Sequence, residues 1–184
     1  MSLFRQIGAI GHSIEARQEN DYYATHPIAA ELLIHVEQLN NVWECACGEG
    51  HLSRVFDSHG ILGKSSDLID RGYGDVLDFF TCTDKWNGDI VTNPPYKYAQ
   101  QFVEHALKLT NRKVCMFLRL QFLEGKKRKY LFQNTPLKCV YVSSSRINCA
   151  KNGLFDKYTD SATAYAWFVW DITYTGKPYI EWIN

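Results

Sequence analysis

Apolar and polar positions along the chain change period several times, and each change marks an element. After a polar, weakly periodic stretch over residues 1–20, expected to be a loosely ordered arm, Pro27 stands where a helix should begin, with Thr25 or His26 near its cap. Ile28, Leu32, Leu33, Val36 and Leu39 then recur at helical spacing, forming one apolar face that Asn40-Asn41 should end. Val42 to Ala46 predicts a short strand, Gly48-Glu49-Gly50 a turn, His51 to Ser58 a helix stopped by Gly60, and Ile61 to Leu68 a second strand. A third strand runs through Ile90-Val91 into Asn93, and a helix from about Tyr98 to Leu109 turns Phe102, Ala106 and Leu109 inward. Val114 to Leu120 is almost continuously apolar, as in a strand buried on both faces. A helix around Lys126 to Phe132 follows, then strands near Cys139 to Val142, Ala164 to Trp170 and Tyr179 to Trp182.

This alternation predicts an α/β fold: a doubly wound, mostly parallel sheet with antiparallel strands near the C-terminus. In such sheets ligands sit beyond the carboxyl ends of the strands, and Glu44 to Gly50, Asp67 and Asn93 to Tyr96 all fall there. At 184 residues and 46% hydrophobic content, residues 21–184 are expected to form one domain, with no room for a second full one.

Charge narrows the choice of partner. Lys plus Arg and Asp plus Glu are 20 each, so no global basic field advertises nucleic acid, and any such partner must be held by a local patch. The six cysteines form no CxxC pair and read as free thiols in a reducing compartment. The histidines show no metal-ligand spacing, so no metal is expected. Ala164 to Trp170, the longest apolar stretch, is too short to span a membrane, and no charged-then-apolar leader opens the chain; a cytoplasmic location is expected.

Asn93-Pro94-Pro95-Tyr96 carries the most specific chemistry. An exocyclic amine on an aromatic ring is a poor nucleophile because its lone pair is delocalised. Two acceptors for its N–H groups, the Asn93 side-chain oxygen and the Pro94 carbonyl, favour a tetrahedral nitrogen with its lone pair aimed outward. Pro94 and Pro95 hold the loop extended and short of competing donors, and Tyr96 offers a flat face to a base drawn out of its stack. The bland alternative is a strand ending in a Pro-Pro turn. Asn93 cannot serve as a general base, so hydrolytic readings built on it fail, and no Ser-His-Asp arrangement has local support.

Upstream, Glu44-Cys45-Ala46-Cys47-Gly48-Glu49-Gly50 lies between a strand and a helix, where a Gly-x-Gly turn lets a ligand approach the backbone. Glu44 and Glu49 would repel phosphates but suit a ligand carrying an ammonium and a sulfonium. Asp67, at the end of the next strand, is placed to accept two ribose hydroxyls; the alternative is a plain turn with a capping aspartate. Asp78-Phe79 can accept an adenine amino group and cover the ring, with Asp75 competing for the role.

Taken in order, Asp21-Tyr22-Tyr23-Ala24-Thr25-His26-Pro27, Glu44 to Gly50, Asp67, Asp78-Phe79 and Asn93 to Tyr96 resemble the class I S-adenosylmethionine-dependent methyltransferases of the N6-adenine DNA type, in particular compact phage and prophage versions. The resemblance covers about Asp21 to Trp170. It implies S-adenosylmethionine as cofactor. Tyr23 and Thr25 would hold its methionine carboxylate end and Glu44, Gly48 and Gly50 the methionine portion; Asp67 would hold the ribose, and Asp78 with Phe79 the adenine. Cys45 stands where many relatives have proline. The separate target-reading domain that such enzymes often carry is not expected here, since the residues after Tyr96 are taken up in finishing the sheet.

For the substrate, Phe155 is the candidate second aromatic wall facing Tyr96, with Tyr158 next. Lys126-Lys127-Arg128-Lys129, with Arg146 and Lys151, can track a phosphate backbone, although such a run also suits a solvated helix face. So few cations predict weak, salt-sensitive DNA binding. The acceptor pair equally serves adenine in RNA or a glutamine amide in a protein, and a catalytically silent cofactor-binding module is a further alternative.

Overall fold

A computed structural model describes residues 23–147, 149–150, 155 and 163–184. The predicted arm, Tyr158 and Lys151 lie outside the described residues. In chain order the elements are β1 (Ala24–Thr25), α1 (Ile28–Val36), β2 (Val42–Glu44), α2 (His51–Ser58), β3 (Leu62–Asp67), β4 (Asp75–Val76), β5 (Ile90–Thr92), α3 (Ala99–Leu109), β6 (Lys113–Arg119), α4 (Lys126–Asn134), β7 (Leu137–Val142), β8 (Cys149–Ala150), β9 (Tyr165–Asp171) and β10 (Tyr179–Trp182).

Eight strands form one sheet in the order β10-β7-β9-β6-β5-β2-β3-β4. Every neighbouring pair is parallel except the two that involve β9, which is inserted antiparallel between β6 and β7. The predicted α/β class and the position of its antiparallel strands are both observed. The chain leaves β2 towards β3 and β4 on one side and returns as β5 on the other. Such a reversal opens a crevice at the carboxyl ends of the two strands, where neither crossover can cover it.

Strand alternation splits the core into two layers. On β6, Val114, Met116 and Leu118 join Phe102, Val103, Ala106, Leu131, Phe168 and Trp170 on the face covered by α3 and α4. Cys115 and Phe117 point the other way, towards Leu33, Leu52, Phe56 and Trp167 on the face of α1 and α2. Because each residue of β6 from Val114 to Leu118 is buried, its apolar run is uninterrupted rather than alternating.

Helix α1 departs from its expected face and length. Pro27 holds its N-cap position, and His26 Nδ1 just before it accepts the N–H of Ile28 at 3.2 Å. Ile28, however, is 43% exposed, and the buried positions are Ala29, Ala30 and Leu33. Small residues let the helix lie close to β9, where the Trp167 indole donates to the Ala29 carbonyl at 2.7 Å. The helix stops at Val36, short of Asn40, because Glu37 turns extended and carries its carboxylate down to Lys113 and Lys138, each at 2.6 Å. Leu39 is buried from the loop beyond, not from the helix. The two-residue strands β1 and β8, which no periodicity marks, pair antiparallel with Thr25 opposite Cys149.

Candidate active site

The turn after β2 and the loop after β5 meet at the reversal of strand order, since Trp43 and Ile90 are register partners on adjacent strands. Gly48 and Gly50 have φ of 56° and 80°, values that other residues adopt with strain. At Gly50 a second constraint acts: a Cβ there would run into the ring of Tyr73. Tyr73 lies between Gly72 and Gly74, which also have positive φ, and the Arg54 guanidinium sits 4.6 Å from its ring centre. The Gly-Tyr-Gly pattern was a signal in the sequence that this loop folds back over the turn.

Asp67 latches the same turn. Its Oδ2 accepts the Gly48 N–H at 2.8 Å and its Oδ1 the Ile69 N–H at 3.0 Å. Each carboxylate oxygen keeps a lone pair for a further donor. Glu44 is 2% exposed, accepts the Ser53 hydroxyl, and has no cationic partner among the described residues. Burial pushes its carboxyl up to about 8, against the smaller opposing pull of Ser53. A buried carboxyl so placed has a strong electrostatic preference for a cation beside it, which a ligand carrying an ammonium or sulfonium would satisfy. The residues present therefore fit such a group.

Asn93 follows β5 directly. Its Nδ2 donates to Thr25 Oγ1 at 2.7 Å and lies 3.8 Å from Cys149 Sγ. Its Oδ1 is buried and has no hydrogen-bond partner among the described residues. Leaving a carbonyl buried and unmet costs about 1–3 kcal/mol, a cost that a bound N–H donor would remove. Pro94 is buried beside it, and the 3-10 turn that begins at Tyr96 leads into α3.

Several groups surround the Tyr96 ring. Tyr23 lies near-parallel at 6.3 Å and 22°, Tyr165 is tilted at 5.9 Å, and the Arg119 guanidinium stands 4.3 Å from the ring centre. Burial beside Cys149 and Tyr165 holds the Tyr96 phenol well above its ordinary pKa, so it is neutral at all ordinary pH. A cleft of about 150 Å³ opens next to it, lined by Tyr96, Leu118, Arg119, Gln121, Phe122 and Arg128 among others.

Some expected placements change. Thr25, expected at the methionine carboxylate end, accepts from Asn93, and Tyr23 lies against Tyr96. Phe155 packs edge-on to His26 at 4.8 Å and His51 at 5.4 Å, beside the start of α2; among the described residues the rings that flank Tyr96 are Tyr23 and Tyr165. Phe79 is 2% exposed and stacks on Phe102 in the core, while Phe80 is the exposed ring of that pair; Asp78 caps the turn by accepting the Phe80 N–H at 2.9 Å. Arg128 is committed to the loop before α4: its Nε donates to the Phe122 carbonyl at 2.7 Å. Lys126 and Lys127 are exposed on α4, the arrangement of a solvated helix face. Neither Arg119 nor Tyr165 was legible as a site residue, since each lies at the end of a long apolar run whose pattern speaks only of the sheet.

No family model and no curated protein matches this sequence. Among solved structures the fold is similar to a Listeria monocytogenes protein assigned to the class I S-adenosylmethionine-dependent methyltransferases, with TM-score 0.53 and 10% identity over 85% of this chain; the chain spans 63% of that protein's length. It is also similar to magnesium protoporphyrin IX methyltransferase from Synechocystis PCC 6803, solved with bound S-adenosylmethionine, with TM-score 0.52 and 15% identity over 91% of this chain and 88% of that one. The chain therefore has the Rossmann-like fold of the class I methyltransferases.

Proposed function

We propose that this protein transfers the methyl group of S-adenosylmethionine to a planar exocyclic amine, and that the amine is N6 of adenine in DNA. The observation that carries the reading is the Asn93 side-chain oxygen, buried and without a partner among the described residues, at the carboxyl end of β5 and next to the rigid Pro94-Pro95 pair. When bound, S-adenosylmethionine supplies a methyl group made electrophilic by its sulfonium. Glu44 provides a carboxylate for the positive end of the cofactor, Gly48 and Gly50 give it backbone access, and Asp67 both braces the turn and offers lone pairs to ribose hydroxyls.

Asn93 Oδ1 and the Pro94 carbonyl each accept one N–H of the target amine. This draws the nitrogen lone pair out of conjugation and aims it, without any side chain having to remove a proton first. Tyr96, neutral at all ordinary pH, gives the base a ring face. Tyr23 lies close to parallel with that ring, so an entering base must share or displace it. Drawing an adenine out of a duplex costs a few kcal/mol, least at a mismatched or single-stranded position, so unpaired DNA is the better substrate.

The experiment is incubation with radiolabelled cofactor and separate pools of DNA, RNA and protein. Label in adenine of DNA is expected. Label confined to RNA or protein would move the substrate class while keeping the chemistry, and label in none of the pools would sink the reading.

A further inference from the structure

The acceptor chemistry requires that the oxygen, not the nitrogen, of the Asn93 amide face the target. Nothing within the loop settles this, because a half-turn of the amide exchanges the two atoms at almost no steric cost. The groups that touch the amide come from far away in the chain. Thr25 is 68 residues before Asn93 and Cys149 is 56 after it, yet β1 and β8 pair so that these two side chains stand opposite each other. Thr25 is 4% exposed, so its hydroxyl is not held by solvent. That hydroxyl accepts the Asn93 Nδ2–H at 2.7 Å, and Thr25 is the register partner of Cys149 across the β1–β8 pair.

Resting on the functional reading above, we propose that Thr25 is a positioning residue: by accepting from Nδ2 it fixes the Asn93 amide with Oδ1 turned to the target amine, so the site is completed by the β1–β8 pair rather than by the Asn-Pro-Pro-Tyr loop alone. Cys149 Sγ, 3.8 Å from the same nitrogen, is a second acceptor on that side of the amide. With the nitrogen held, the oxygen is the only part of the amide left unmet among the described residues.

Thr25→Val keeps the shape and removes the hydroxyl; Thr25→Ser keeps the hydroxyl and removes the methyl. Two measurements are made on the full chain. Side-chain amide resonances of Asn93, assigned by their loss in Asn93→Ala, should be resolved and slow to exchange with solvent in the parent and in Thr25→Ser, and averaged or fast to exchange in Thr25→Val. Turnover should fall about 10- to 100-fold in Thr25→Val with KM for the cofactor within about twofold, and recover to within about threefold of the parent in Thr25→Ser. Unchanged Asn93 amide signals in Thr25→Val, or equal losses of turnover in the two variants, would overturn the proposal, the second because packing of the methyl would then explain the effect. If the parent transfers no methyl group, the functional reading fails, while the amide resonances still decide whether Thr25 fixes Asn93.

Discussion

Two buried glutamates stand at opposite ends of the sheet and are treated in opposite ways. Glu37, at the amino-terminal ends of the strands, receives Lys113, Lys138 and the Tyr141 hydroxyl, all within 2.8 Å. Nearby, Asp89 accepts from Arg112, from the Asn40 N–H and from the Lys113 N–H. Burial alone would push the Glu37 carboxyl up, but the three donors outweigh it and hold it below its ordinary value. Glu44, at the carboxyl-terminal end of β2, accepts from Ser53, has no cationic partner among the described residues, and is pushed up by burial to about 8. At one end polar groups close on each other and brace the sheet. At the other, among the described residues, a buried carboxyl has no cation beside it and an amide oxygen has no donor, at a cost in stability that a ligand can recover. That asymmetry is what the proposed function builds on.

The largest effect expected is at the open end. Asn93→Ala should lower methyl transfer by about 100- to 1,000-fold, the range seen when one preorganised transition-state partner is removed, while calorimetry still detects cofactor binding. Retention of full activity would break the acceptor mechanism. At the closed end, Glu37→Gln should leave two lysines without their charge partner and cost about 3 kcal/mol in urea unfolding, with turnover per folded molecule unchanged. If it instead abolished turnover without loss of stability, the two ends would not be functionally distinct.

The two carboxyls should also give opposite pH dependences in the ligand-free protein. Glu44 has a raised folded-state value, so its contribution is fully present below its ordinary 4.5 and is lost as pH rises towards about 8. Within that window it should lower stability by up to roughly 1.4 kcal/mol per pH unit. Glu37 has a lowered folded-state value, so its contribution is present above 4.5 and is lost as pH falls. Glu44→Gln should therefore flatten the stability profile between pH 5 and 8 and weaken cofactor binding, whereas Glu37→Gln should flatten only the acid limb. A profile indifferent to Glu44→Gln would remove the electrostatic argument for a cationic ligand. The smallest effect expected is from Lys126→Ala with Lys127→Ala, which should lower DNA affinity by less than tenfold and reduce the salt slope by at most about 2; a larger loss would make α4 a principal DNA contact.

Local patterning carried much of the fold. His51 to Ser58 and Tyr179 to Trp182 form at the predicted residues, since a turn before a helix and a short run of β-formers are local events. The end of α1 was not legible, because Glu37 leaves the helix to reach lysines on β6 and β7. Nor were β1 and β8, two residues each, which exist only through each other.

By itself, then, the chain's order of residues determined the alternating strands and helices, the glycine turn after β2 and the rigid acceptor loop after β5. Those depend on backbone restrictions that act over a few neighbours. The tertiary structure alone decided that Thr25 and Cys149 grip Asn93, that Phe155 sits by His51 rather than Tyr96, and that Phe79 is core. Each of those outcomes is a contact between segments tens of residues apart, set by strand order and by which face of the sheet a helix covers, and no periodicity along the chain encodes it.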